Sequence, residues 1–247
     1  MPDFNQRSYQ AEIIDDLEAG GEDLLQALRE LETINTWLGG HDLTIKGLNK
    51  IIAKHPQKKD WVIVDAGCGR GDSLLHIAKW CRAEKLKIQL IGIDANSHII
   101  EEAEKHCRAW PEISFIVLDV FSAEMAKLKA DITCCTLFTH HFTKDQLIQL
   151  YKQFHQISEI AFLINDLQRH PLAYYSINLL TSLFSKSKMV KNDARLSVLR
   201  SFHKNELQEL MEKAAIKKFS IKWKWAFRWE VIAWSNGSID DPKLKSF

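Results

Sequence analysis

Between Val62 and Asp72 the chain reads Val-Ile-Val-Asp-Ala-Gly-Cys-Gly-Arg-Gly-Asp, an apolar run that ends in an acid and passes into three glycines at alternate positions. Glycine at such a turn lets backbone approach a ligand closely and accepts positive φ. The amides that open the following helix would then face the ligand's polar atoms. Two further acids close apolar runs downstream, Asp94 after Leu90-Ile91-Gly92-Ile93 and Asp119 after Val117-Leu118. Each alone could be no more than a helix cap. Three at the ends of successive runs belong on one edge of one sheet, where a nucleoside would bind.

The spacing is GxGxG, not the GxGxxG of dinucleotide folds, and Asp65 stands directly before it. A carboxylate there would repel a pyrophosphate but suits a sulfonium and an α-ammonium, so S-adenosyl-L-methionine is the expected cofactor and S-adenosyl-L-homocysteine its product. Asp65, Ala66, Gly67, Cys68, Gly69 and Gly71 are expected around the methionine end. Asp94, with Ala95, would accept hydrogen bonds from both ribose hydroxyls, the chemistry that places an acid beyond a dinucleotide fingerprint. Asp119, with Val120 and Phe121, would hold adenine, and Thr136 at the end of the fourth run completes the cofactor set.

A second constellation, Thr139-His140-His141-Phe142, falls where an acceptor pocket would open. A phenol of pKa about 10 needs a base near neutrality, and a histidine at about 6.5 suits that task. His140 is the first candidate for catalysis and His141 the second; packing or capping is the competing account of the pair. His170, Tyr174 and Tyr175, with Phe184, are candidates for the substrate wall. An Asn or Asp followed by Pro-Pro and an aromatic, common in amino-group methylation of bases, is replaced by LFTHHF. Cys134 and Cys135 sit inside an apolar run and read as buried, not as thiolate nucleophiles. A magnesium site would want acids after strands four and five; Asn165-Asp166 offers only the second, so no metal is expected.

The elements that must position these residues follow from periodicity. Residues 8 to 53 read as helical, with a stop at Gly39-Gly40. From residue 61 short apolar runs alternate with amphipathic segments, the pattern of βαβ units. Strands are expected over 61–65, 88–94, 113–118, 132–137 and 160–164, and helices over 71–83, 97–108, 122–128, 143–157 and 171–185. The basic stretch 186–200 reads as a surface loop or lid. Two late alternating runs, 216–225 and 227–234, read as an antiparallel hairpin, its tryptophans Trp223, Trp225, Trp229 and Trp234 as one packed face. The tail from Ser235 is expected to fray.

Composition bounds the rest. The 247 residues carry 33 Lys and Arg against 32 Asp and Glu, without the positive bias that nucleic-acid binding calls for. Five cysteines without CxxC spacing read as reduced thiols. No stretch approaches a membrane span and the amino terminus lacks a signal h-region, so a cytoplasmic location is expected.

Residues 61 to 166 and the hairpin at 216–234 resemble the class I S-adenosylmethionine-dependent methyltransferases. More narrowly, LRELETINTWLGGH and NDLQRHPLAYYSINLLTSLFSKSKMVKNDARLSVLRSF look like a bacterial ubiquinone/menaquinone methyltransferase-like small-molecule group, some of it associated with polyketide tailoring. The resemblance implies an α/β fold: a Rossmann-like, seven-stranded, mostly parallel sheet ending in an antiparallel hairpin, with N-terminal accessory helices and a helical lid insertion. Residues 1–55 would be a helical cap and 56–247 the methyltransferase domain, its lid insertion over about 168–202. The expected reaction moves a methyl group to a small-molecule acceptor, first a hydroxyl and second a carbon of an aromatic or polyketide-like compound. The expected partners are that substrate, no nucleic acid and no membrane, with a homodimer left open. The rivals are an RNA or protein methyltransferase and a non-catalytic cofactor-binding module.

Overall fold

The computed structural model describes residues 2–235. Its centre is a seven-stranded sheet of order β3-β2-β1-β4-β5-β7-β6. The strands are β1 (Asp60–Ala66), β2 (Lys87–Asp94), β3 (Ile113–Val117), β4 (Ala130–Thr136), β5 (Ser158–Leu167), β6 (Phe219–Lys224) and β7 (Arg228–Trp234). The first five are parallel, and β7 runs antiparallel to both β5 and β6. Every expected strand is present to within three residues at either end. The signal was strong because central strands covered on both faces read as continuous apolar runs.

The order reverses between β1 and β4, and ligands bind at such a switch point beyond the carboxyl ends of the strands. Register brings the candidate residues there together: Asp65 lies beside Gly92 and Cys134, Asp94 beside Val117, and Thr136 beside Asn165.

Helices α1 (Gly21–Trp37), α2 (Gly40–Ile52), α3 (Asp72–Ala83) and α4 (Ser97–Cys107) precede β3; α5 (Lys144–Ile157), α6 (Pro171–Phe184), α7 (Lys188–Arg200) and α8 (Lys204–Lys213) follow β4. One sheet face packs against Leu147, Leu150, Tyr151 and Phe154 of α5 and Leu207, Leu210 and Met211 of α8. The other packs against Leu48 and Ile51 of α2, Leu74, Ile77 and Ala78 of α3, and Ile100 of α4. Local chemistry sets several boundaries. Thr143 and Gln146 form a reciprocal capping box at α5, and the Asn96 side chain accepts from the amides of His98 and Ile99 at α4.

Four expectations are corrected. Residues 8 to 19 are not helical beyond a 3-10 turn at Ile13–Asp15, because their amides find partners elsewhere: Ile13 and Ile14 donate to the Asp193 carboxylate of α7, each at 3.0 Å. The stretch 186–200 is helix α7, not a loop. Ser187 caps it, and Val190, Ala194, Leu196 and Val198 are buried beneath its lysines. The helix expected over 122–128 is only a 3-10 turn, Met125–Lys127, too short to offset the cost of helix nucleation. The hairpin tryptophans divide: Trp229 and Trp234 are buried, whereas Trp223 is 49% and Trp225, in the turn, 73% exposed. Helix α8 carries an apolar stripe at 207, 210 and 211 that the periodicity reading passed over. The tail expected to fray lies outside the described residues from 236 onward.

Candidate functional site

A cavity of about 790 Å³ opens over the carboxyl edge of β1, β2, β4 and β5. A second hollow, about 480 Å³, lies at the opposite edge around Lys58, Lys87 and Asp131, away from the glycine loop.

Gly67 and Gly69 shape one end of the main cavity, whereas Gly71, expected with them, stands behind the wall at the start of α3, facing Phe115 and Cys107. Gly67, Gly69 and Gly71 all take positive φ, at 66°, 53° and 77°. A Cβ on Gly67 would stand 2.1 Å from the Phe138 ring, so that aromatic closes on bare backbone; at Gly69 a Cβ would meet nothing within 4 Å. Asp65 is 2% exposed and lines the cavity. Burial and the neighbouring Asp94 push its carboxyl up to about 7, with no hydrogen bond to offset them. Asp94 is raised by burial too, although the amides of Gly69 and Asn96 donate to it at 3.2 and 3.0 Å. A buried acid and a half-buried one, both short of positive charge, suit a cationic ligand, which would relieve both.

Beyond them, Leu118, Asp119, Val120 and Phe121 line the wall. Asp119 accepts from the Phe121 amide at 2.9 Å. The Phe121 and Phe138 rings each meet Phe142 edge to face, at 5.1 and 4.9 Å, which makes an apolar slot suited to a flat base. Cys68, Ala95 and Thr136 also line the cavity, with Thr136 Oγ1 3.1 Å from Thr44 Oγ1. Ala66 is buried in β1 behind the wall.

At the other end β4 leaves the sheet through Leu137, whose φ is 53°, into a 3-10 turn over Thr139–His141. Asp166 of β5 organises that turn. Its carboxylate accepts from Thr139 Oγ1 at 2.5 Å and from the His140 amide at 3.1 Å, and His140 Nδ1 lies 2.7 Å away. Burial would raise Asp166, but the His140 ring and these hydrogen bonds hold it well below the usual carboxylate range. With Nδ1 engaged, Nε2 of the buried His140 faces Glu12 Oε1 at 3.7 Å. Glu12 is buried, its Oε1 has no hydrogen-bond partner among the described residues, and burial lifts its carboxyl to about 7. His141 Nδ1 sits 2.5 Å from Asp15 Oδ1.

Two arginines fasten the amino-terminal segment over this turn. Arg7 donates to the carbonyls of His140 and Phe142, both at 3.1 Å. Arg200 donates to the His141 carbonyl and to Asp15 Oδ2, at 2.5 and 2.6 Å. Glu12 and Arg200 were therefore missed as site residues. Nothing in Ala11-Glu12-Ile13-Ile14-Asp15-Asp16 signals that it folds back across the sheet edge. Arg228, another cavity residue, did leave a signal: in Arg228-Trp229-Glu230-Val231-Ile232 the alternation sets two charges on one face of a buried strand.

Corrections apply at the substrate wall. Tyr174, Tyr175 and His170 do not line the cavity. Helix α6 turns Ala173, Ser176, Ile177 and Leu180 toward it, and successive helical residues diverge by about 100°. Tyr174 and Tyr175 pack against Phe4, and the His170 ring stacks on Phe227 at 5.2 Å. Phe184 and Trp37 are exposed and meet each other edge to face.

Among the described residues two clusters bring metal-ligating atoms within 4.8 Å of one another, Glu12 with His140 and His141, and Glu32 with His41 and His76. In the first, the Arg200 guanidinium lies 3.4 Å from Glu12 and already supplies positive charge. In the second, the two imidazoles stack with centroids 4.1 Å apart and planes 6° from parallel, so their in-plane lone pairs do not converge on one point. All five cysteines are buried and unbridged, and burial raises Cys134 and Cys135 far from thiolate character. No helix among the described residues is long and apolar enough to cross a membrane.

With this geometry in view, residues 63–159 match the family described as methyltransferase domain. No curated protein matches the chain. Among solved structures the chain is similar to human N-acetylserotonin methyltransferase in complex with S-adenosylmethionine, at 18% identity and TM-score 0.63, over 93% of this chain and 63% of that one. It is also similar to the plantazolicin methyltransferase BpumL with S-adenosylhomocysteine, at 18% identity and TM-score 0.62, over 87% and 94%. A third likeness is magnesium protoporphyrin IX methyltransferase from Synechocystis PCC 6803, at 14% identity and TM-score 0.52, over 80% and 84%.

Proposed function

We propose that this chain, whose residues 63–159 match the methyltransferase-domain family and whose fold is shared with S-adenosylmethionine-bound methyltransferases, methylates a hydroxyl of a small aromatic or polyketide-like acceptor. The observation that carries this reading is the joining of two half-sites in one cavity, a glycine loop with strand-end acids and a buried His140–Asp166 pair.

Asp65 and the backbone of Gly67, Cys68 and Gly69 would hold the methionine end, Asp94 with Ala95 the ribose, and Asp119 with Val120 and Phe121 the adenine. Bound there, the cofactor supplies a methyl group made electrophilic by its sulfonium. Asp166 accepts a hydrogen bond from His140 Nδ1–H, which leaves the Nε2 lone pair to take the acceptor's hydroxyl proton. Glu12, across Nε2, would steady the imidazolium so formed. The apolar wall of Leu31, Ile34, Ile177 and Leu180 keeps water out and suits an acceptor of low polarity. Small-molecule acceptors named for the neighbours, N-acetylserotonin and plantazolicin among them, support the substrate class.

The test is to incubate the pure protein with methyl-labelled cofactor and a fractionated metabolite extract. Label in a small phenolic or enolic product is expected. Label in RNA or protein instead, or in nothing despite tight cofactor binding, would reject the reading.

A further inference from the structure

Arg228 is 1% exposed yet lines the cavity. Its guanidinium has five N–H donors, of which Nη1 donates to Asn165 Oδ1 at 3.2 Å and Nη2 to Asn35 Oδ1 at 2.8 Å. Its Nε has no partner among the described residues. Both acceptors are neutral amides, and Asp166, the carboxylate that acts on it, does so from beyond ion-pair distance. Burying a guanidinium without a counter-charge is costly unless an anion joins it.

The arginine is also held in place. Asn35 Nδ2 lies 3.2 Å from His41 Nε2, and Asn165 Nδ2 donates to the Gly40 carbonyl and to Thr44 Oγ1, at 2.9 and 3.0 Å. Gly40 must be bare for this: a Cβ there would stand 1.9 Å from Asn35 Oδ1 and 3.1 Å from Arg228 Nη2. Residues from α1, α2, β5 and β7 thus converge to aim one cation.

The remaining charge in the cavity says what it awaits. Glu12, Asp15, Glu32, Asp65, Asp72, Asp94 and Asp119 line the wall. The other arginine lining it, Arg70, is partly exposed and reaches His106 at 3.2 Å. A ligand that brings a carboxylate into so acidic a space has one buried cation to meet.

We infer that Arg228, set by Asn35 and Asn165, is a carboxylate-binding site at the floor of the cavity. Its ligand is either the α-carboxylate of the cofactor's methionine tail or a carboxylate on the acceptor; the bidentate match of guanidinium to carboxylate is common to both. The inference rests on the cavity being a cofactor site.

Calorimetric titration of the full chain separates the outcomes. The probes are S-adenosylhomocysteine, 5′-methylthioadenosine, which lacks the amino-acid tail, and 4-hydroxybenzoate or phenol added to the S-adenosylhomocysteine complex. In Arg228→Met, S-adenosylhomocysteine is expected to weaken about 10- to 100-fold with 5′-methylthioadenosine unchanged, the scale of losing hydrogen bonds to a charged partner. Arg228→Lys should recover part of the loss. If 4-hydroxybenzoate alone weakens by that factor and phenol does not, the site serves the acceptor. Because Arg228→Met also strands the Asn35 and Asn165 oxygens, affinities are compared below its melting temperature; binding by Arg228→Lys no better than by Arg228→Met would make the arginine a packing element and overturn the site. Unchanged affinity for every probe overturns it as well. Failure of both adenosyl probes to bind the wild type would reject the cofactor reading itself, whereas equal wild-type affinity for the two, with no binding of 4-hydroxybenzoate, would reject only the carboxylate site.

Discussion

At the scale of single residues the site is a matter of which groups lose water and what replaces it. His140 and Asp166 exchange hydration for each other. Replacing His140 with Ala is expected to lower turnover by about 10²- to 10⁴-fold while calorimetric cofactor affinity stays put; turnover equal to the wild type would retire the base. Asp65 has no such exchange. Its carboxyl in the folded chain stands at about 7, against an ordinary value near 3.8. The folded state therefore binds this proton more tightly than the unfolded one, and its stabilisation is present in acid and lost as pH rises through 7. Glu12 acts in the same sense. Asp15 and Asp166 are depressed and act oppositely, losing their contribution as pH falls below the ordinary carboxylate range. Thermal unfolding of the ligand-free protein should therefore peak on the acid side of neutrality, near pH 5. Asp65→Asn should flatten the decline between pH 5 and 8, and an unaltered decline would show that Asp65 is not its source.

At the scale of elements the informative pieces are α7 and the amino-terminal segment. Helix α7 buries Asp193 and Arg200, which hold the amides of Ile13 and Ile14 and the carbonyls of the 3-10 turn. Arg200→Ala would leave the buried Glu12 without its cation, a change that typically costs about 3–5 kcal/mol, and would strip one partner from the half-buried Asp15. Faster amide exchange in residues 7–15 and 139–142 is the expected sign, and protection equal to the wild type would mean the segment is held some other way. Ser187→Ala should cost about 1 kcal/mol through loss of the α7 cap; no measurable change in melting would speak for a loop. The strands and α3, α4 and α5 were legible because one period runs the length of each. The segment before α1 was not. Its partners lie about 180 residues away, so its own composition says little about its shape.

At the scale of the whole molecule, the cavity joins the glycine loop, the strand ends, the first helices, α6, α7 and the hairpin turn, so ligand binding and global stability are coupled. At a hundredfold excess of cofactor over its dissociation constant, binding would contribute about 2.7 kcal/mol, or a rise of about 5–10 °C in melting temperature for a chain of this size. A melting curve indifferent to S-adenosylmethionine would contradict the assignment of the cavity. A rise should be accompanied by slower exchange in the segment that carries Glu12, because that segment lines the same space.

Sequence alone determined the parallel sheet, its closing hairpin and the rim where Asp65, Asp94, Asp119, Gly67 and Gly69 meet. These depend on local periodicity, turn chemistry and the rule that consecutive parallel strands end on one edge. Tertiary structure alone decided that Glu12 faces His140, that α6 turns Ala173 and Ile177 rather than Tyr174 and Tyr175 to the cavity, and that Arg228 is buried with only amides beside it. Each of those depends on which side chains distant in the chain share one dry space, and burial and charge compensation act through space, not along sequence.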